Sequence, residues 1–235
     1  MNQLKVKLYS DGAKMEDIKL LADDPNIAGF TTNPSLMKQA GASDYKSYSK
    51  EILSIVPNKP LSFEVFADEF DEMYRQALDI KTWGENVYVK IPVMNTKRQY
   101  AYELIEKLTK EGVKLNVTAL FTEDQVRRTV TALEGTSGSL VSIFAGRIAD
   151  TGVDPKPLMT KSCEICSVDP KMELLWASTR EVYNIFEADQ TGCDIITVPP
   201  SILKKMGGIG KDLEEYSLDT VKGFYKDATE AGFSL

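Results

Sequence analysis

The chain of 235 residues contains no histidine. Its absence removes the commonest general base near neutral pH and the commonest metal ligand, so acid–base chemistry falls to carboxylates and lysines. Cysteine is scarce at three residues, too few for a disulfide framework. Cys163 and Cys166 form a CxxC without the second pair a zinc site needs, so these thiols read as structural. No apolar run approaches the roughly 20 residues needed to span a bilayer. Basic side chains are in the minority, 28 Lys and Arg against 35 Asp and Glu. That balance argues against nucleic acid or an anionic membrane as partner. The opening Met1-Asn2-Gln3-Leu4-Lys5 lacks the apolar stretch of a secretion signal, so the expected setting is the reducing cytoplasm. No Gly-, Ser- or Pro-rich linker divides the chain. With 43% hydrophobic residues, it reads as one domain over 1–235 with a full core.

Eight short runs rich in β-branched and aliphatic residues recur along the chain, at 6–10, 27–31, 61–66, 86–91, 114–117, 140–144, 173–177 and 194–198. Between them, apolar residues fall at helical spacing, as in Met73, Ala77, Leu78 and Ile80, or Ala101, Leu104, Ile105 and Leu108. Eight strand–helix alternations within about 250 residues are the pattern of an α/β, (β/α)8 TIM barrel. A doubly wound open sheet alternates similarly, but its Gly-rich turn after the first strand is missing. Gly207-Gly208-Ile209-Gly210 lies beyond the eighth strand and reads as a surface loop rather than a phosphate cradle. A C-terminal helical extension is expected at about 212–231. Leu218, Val221, Phe224 and Tyr225 share one of its faces, which either completes the outer ring or packs on a neighbouring copy as a homo-oligomer contact.

Lys90 closes the run Val87-Tyr88-Val89-Lys90-Ile91-Pro92. A lysine amine held on a rigid, partly desolvated strand end is the group that attacks a ketone to form a Schiff base. In a barrel of this kind the active site lies at the carboxyl ends of the strands. Seven successive strands end there in polar groups: Asp11, Thr32 with Asn33, Glu64, Lys90, Asn116 with Thr118, Arg147, and Ser178 with Arg180. Singly, Asp11 reads equally as a helix cap and Asn33-Pro34 as a turn. Together they converge on one mouth. Asn116-Val117-Thr118 also fits a glycosylation pattern, but a strand end without a secretion signal is the wrong place for it.

The stretches Gly29-Phe30-Thr31-Thr32-Asn33-Pro34-Ser35 and Val87-Tyr88-Val89-Lys90-Ile91-Pro92 resemble the two signatures of the transaldolase family, which includes the fructose-6-phosphate aldolases. The similarity extends to Leu8-Tyr9-Ser10-Asp11, Gly146-Arg147-Ile148 and Ala177-Ser178-Thr179-Arg180. The resemblance implies a Schiff-base lysine at Lys90 and an acid–base group at Asp11 acting on the sugar C4 hydroxyl. Glu64 and Thr118 would handle a catalytic water. Asn33 and Asn116, flanked by Thr32, Ser35 and Phe144, would hold the dihydroxyacetone unit, with Arg147, Ser178 and Arg180 on the phosphate. The implied reaction transfers dihydroxyacetone from fructose 6-phosphate or sedoheptulose 7-phosphate to an aldose phosphate, in the pentose phosphate pathway, without metal or cofactor. Family members that act as aldolases carry glutamine at the position of Glu64 and tyrosine at that of Phe144. The alternatives are that aldolase activity, a sulfo-sugar donor, or a sugar-phosphate-binding barrel without turnover.

Overall fold

The computed structural model describes residues 4–234. Eight parallel strands form a closed barrel in chain order: β1 (Lys7–Asp11), β2 (Ile27–Thr31), β3 (Leu61–Glu64), β4 (Val87–Pro92), β5 (Leu115–Leu120), β6 (Ser139–Ile143), β7 (Met172–Trp176) and β8 (Ile195–Val198). β8 returns to pair with β1, Leu8 opposite Ile196 and Tyr9 opposite Thr197, which excludes the open doubly wound sheet. The helices following β1 to β4 are α1 (Met15–Ala22), α2 (Pro34–Gln39), α3 (Tyr45–Ile55), α4 (Phe70–Lys81) and α5 (Tyr102–Lys110). Those following β5 to β8 are α6 (Glu123–Ala132), α7 (Ala145–Asp150), α8 (Lys156–Cys166), α9 (Tyr183–Thr191) and α10 (Pro200–Leu203).

The helical periodicity maps onto burial except at Leu78, which is half-buried. Met73, Ala77 and Ile80 of α4 are buried, as are Leu104, Ile105 and Leu108 of α5. Outward-facing strand residues such as Phe63, Val89, Ile91, Val117 and Val141 are sealed beneath the helices at 0% exposure. The free thiols of Cys166 and Cys193 are buried, and Cys163 is half-buried with its Sγ donating to the Thr191 carbonyl at the end of α9. Burial pushes Cys163 up to about 11 and Cys166 up to about 12, which suppresses thiolate chemistry.

The barrel unit runs to Leu203 and a second compact unit begins at Lys204. Within that unit, Lys204–Gly208 forms a 3-10 turn that takes in Gly207 and Gly208 of the expected surface loop, while Ile209 and Gly210 stay outside any helix. A single helix follows, α11 (Leu213–Glu230), whose first turn is capped by the Asp212 carboxylate accepting from Glu214 and Glu215 N–H. Among the described residues, no helix is long and apolar enough to cross a membrane.

Candidate active site

A cavity of about 360 Å³ opens at the carboxyl ends of the strands, lined by Asp11, Thr31, Asn33, Lys90, Asn116 and Thr118 on one side. Ser142, Phe144, Arg147, Ser178, Arg180 and Thr197 line the other. Its floor is a ring of polar groups that point inward from several strands. Asn116 Nδ2 donates to Ser62 Oγ at 3.0 Å and its Oδ1 accepts from Ser142 Oγ at 2.6 Å, tying β3, β5 and β6 together. Thr31 Oγ1 donates to Asp11 Oδ1 at 2.7 Å and lies 2.5 Å from Thr197 Oγ1, tying β1, β2 and β8. Buried polar groups that are paired in this way are rigid, because leaving one unpaired costs about 1–3 kcal/mol.

Lys90 stands between the two clusters. Register places it beside Glu64 on β3 and Asn116 on β5. Its side chain is 8% exposed, with Nζ 3.2 Å from Glu64 Oε2 and 3.3 Å from the Thr32 carbonyl. Glu64 is itself anchored through its backbone. The Tyr45 hydroxyl donates to its carbonyl at 2.9 Å and accepts from its N–H at 3.0 Å. Asp11 is part-buried at the cavity wall, and desolvation pushes its carboxyl above the ordinary 3.8, against the pull of the Lys90 charge and the Thr31 hydrogen bond. A carboxylate so placed is a stronger base than a solvated one, which suits proton abstraction from an alcohol. Thr118 Oγ1 is buried and has no hydrogen-bond partner among the described residues, so a hydroxyl in the cavity would satisfy it.

The far end is built by α7 and the loop after β7. The Arg147 guanidinium stacks 4.9 Å from the centre of the Phe144 ring. Ser178 sits at φ 68°, a left-handed conformation that non-glycine residues adopt at a cost of about 1–2 kcal/mol. Gly146 makes this turn possible, since a Cβ there would lie 1.6 Å from the Ser178 carbonyl oxygen. Arg180 completes the end of the cavity, gripped by Asp150. Two guanidiniums and a hydroxyl around one end suit a tetrahedral oxyanion.

Nine of the twelve residues singled out from sequence line this cavity: Asp11, Asn33, Lys90, Asn116, Thr118, Phe144, Arg147, Ser178 and Arg180. Glu64 reaches it through Lys90. Thr32 and Ser35 are not among the lining residues. Thr32 is fully buried, its hydroxyl donating to the Ser62 carbonyl, and the neighbouring Thr31 is the side chain that faces inward. Ser35 stands in the first turn of α2, which Asn33 caps by accepting from Leu36 N–H at 2.9 Å. Lys90 does not close its strand, which continues through Ile91 and Pro92. Asn116 and Thr118 lie inside β5 rather than at its end, and Asn116, at 0% exposure, is inaccessible to a glycan. Arg147 is on α7, not on a strand. Thr31, Ser142, Thr197, Ser62, Tyr45 and Asp150 were missed. For Thr197 a signal existed, since it is the one polar residue of the apolar β8, whereas Ser62 shares β3 with Glu64 and Ser142 shares β6 with Ser139.

Comparison with known proteins bears on the chemistry. A family model described as Transaldolase/Fructose-6-phosphate aldolase matches residues 8–235. A probable transaldolase of Dehalococcoides mccartyi is 36% identical over 202 residues, 86% of this chain and 90% of that one. One from Brucella ovis is 34% identical over 221 residues, covering 92% and 97%. One from Clostridium botulinum is 34% identical over 219 residues, covering 90% and 98%. Among solved structures, a putative lyase/mutase from Burkholderia cenocepacia J2315 superposes with TM-score 0.61 at 10% identity, over 99% of this chain and 86% of that one. A dihydrodipicolinate synthase from Rhodopseudomonas palustris gives 0.57 at 12%, over 91% and 79%. The two structures share the barrel alone, whereas the sequence matches span nearly the whole chain. The chain belongs to the transaldolase/fructose-6-phosphate aldolase family.

Proposed function

We propose that this protein is a transaldolase that carries a dihydroxyacetone unit from a ketose phosphate to an aldose phosphate on Lys90. The observation that carries the reading is one nearly buried lysine amine, 3.2 Å from a carboxylate, sharing a cavity with a part-buried Asp11 and two arginines. Attack on a C2 ketone needs the free amine, and Glu64 is the group placed to take the ammonium proton. Loss of water from the carbinolamine then leaves an iminium whose nitrogen accepts the electrons of the breaking C3–C4 bond. Asp11 takes the C4 hydroxyl proton as that bond breaks, an aldose phosphate departs, and an enamine of dihydroxyacetone stays on Lys90. Attack of the enamine carbon on a second aldehyde runs the same steps in reverse.

Retention of the enamine requires that it not be protonated by water. Phe144 brings a phenyl ring to the cavity and no hydroxyl, and Phe121 packs beside it with centroids 5.8 Å apart. Both favour transfer over release. The side chains Ser62 and Ser142 hold Asn116 in place to receive hydroxyls of the three-carbon unit.

Borohydride trapping with fructose 6-phosphate, followed by peptide mass mapping, tests the reading. The adduct should map to Lys90 alone, and Lys90→Met should abolish both trapping and turnover. An adduct on Lys7 or Lys114 overturns the assignment. Dihydroxyacetone release without acceptor as fast as transfer to erythrose 4-phosphate would make the protein a fructose-6-phosphate aldolase instead. Saturable sugar-phosphate binding with no adduct would leave a binding barrel.

A further inference from the structure

The reading above assigns Arg180 to the anion end of the cavity and leaves its partner Asp150 without a role. Asp150 ends α7, one turn after Arg147, and is not among the residues lining the cavity. Its carboxylate takes one whole edge of the Arg180 guanidinium. Nε donates to Oδ1 and Oδ2, each at 3.1 Å, and Nη2 donates to Oδ2 at 2.5 Å. A guanidinium carries five N–H groups in a planar fork, so this grip leaves both Nη1 hydrogens and one on Nη2 free.

The backbone of the same loop is pinned by other groups. Thr179 Oγ1 donates to the Thr197 carbonyl at 2.8 Å, and the Asn184 side chain accepts from Arg180 and Glu181 N–H at 2.9 and 3.2 Å. None of these contacts restrains the long Arg180 side chain. Asp150 is the contact that does.

We infer that Asp150 is a positioning residue that presents Arg180 to the anionic tail of the substrate, with its carboxylate behind the guanidinium rather than in the anion's place. The inference rests on the reading of this end as the phosphate site. Two effects compete. A fixed fork binds an oxyanion without first being ordered, while the negative charge of Asp150 offsets part of the attraction. Asp150 is 52% exposed, so solvent and salt screen its charge, and orientation wins. The titration behaviour agrees from both partners: the Arg180 hydrogen bonds hold the Asp150 carboxyl below its usual range, and Asp150 pushes Arg180 up.

The test uses glycerol 3-phosphate, a phosphate monoester without a carbonyl, and reads equilibrium binding by calorimetry independently of turnover. Asp150→Asn and Asp150→Ala should weaken binding about tenfold, the low end for loss of a supporting contact. For a ketose phosphate the same variants should raise KM by a similar factor with kcat within twofold. In an Arg180→Ala background, Asp150→Ala should have no further effect, because its action runs through that side chain. Equal losses in the two backgrounds would overturn the proposal, as would tighter binding in Asp150→Asn, the signature of a counter-ion competing with the ligand. If Arg180→Ala binds glycerol 3-phosphate as well as the wild type does, the phosphate reading itself fails and this inference with it.

Discussion

Asp11 shows how one side chain joins chemistry to stability. Its carboxyl is raised above the ordinary value by burial, with Lys90 and Thr31 offsetting part of the effect. A raised carboxyl means the folded protein holds its proton more tightly than the unfolded chain does. The stabilising contribution is therefore complete below about pH 3.8 and is lost as pH rises through the folded value. Above that folded value the ionised group weakens the fold. Asp11→Asn should raise Tm at pH 7, by roughly 2–4 °C for each kcal/mol recovered in a chain this size. The gain should shrink as the pH is lowered toward 4. The same variant should still form the Schiff base but cleave C3–C4 more slowly by about 10² or more. Scanning calorimetry against pH, with single-turnover cleavage of a preformed adduct, checks both halves. A variant less stable than wild type at pH 7 would mean that attraction to Lys90 outweighs desolvation. What was readable at this scale was residue type; what was not was direction. Thr32 was preferred over Thr31, yet a step of one residue along a strand turns a side chain from the cavity to the helix layer. Asp150 had no sequence signal, because only the folded loop brings it to Arg180.

Strand existence was legible in the β-branched runs; β2 falls at the expected 27–31, while most other strand ends were displaced by one to three residues. Hydrogen bonding to neighbouring strands, rather than local composition, decides where pairing stops. The expected third strand ran to Phe66, but pairing ends at Glu64, and Phe66 is 60% exposed. The fifth strand runs past the expected Val117 to Leu120, with a register shift at which Ala119 takes φ 61°. Irregularity next to Thr118 is consistent with backbone strain concentrating at functional sites. The junction of β6 and α7 carries the prediction at this scale. Gly146 N–H reaches the Ala177 carbonyl at 3.3 Å, and the Ser178 carbonyl fills the space where a Cβ would stand. Gly146→Ala must therefore push two backbones apart, since no flexible side chain is available to yield. A cost of about 1–3 kcal/mol is expected for such overpacking, with a lower Tm and weaker binding of phosphorylated donors. Gly223→Ala, where a Cβ meets nothing within 4 Å, serves as the control. A Tm for Gly146→Ala within 1 °C of wild type, roughly the reproducibility expected against the shift that cost implies, would show that the two segments separate freely.

At the scale of the molecule, the barrel and α11 belong to two compact units with different surfaces. Every strand of the barrel is paired on both sides, and its outward residues are covered. In α11 no residue is buried, although Leu218, Val221, Phe224 and Tyr225 are exposed at 45%, 58%, 70% and 76%. Its charges are better served: Lys211 and Lys222 pair with Asp219, and Lys226 with Glu230. A helix of 18 residues is by itself only marginally stable in water, so burial of its apolar face bears on the stability of α11 more than the capped first turn does. The sequence allows two covers for that face, the barrel's outer ring or a second copy of the chain, and association in solution separates them. Light scattering after size exclusion should give a mass above the 26.2 kDa of one chain. Val221→Ser with Phe224→Ser should shift it toward the monomer and lower helicity, leaving the barrel's near-ultraviolet dichroism intact. A wild type that stays monomeric across micromolar to millimolar concentration, or a double variant that assembles as well as the parent, would remove α11 from any role in association.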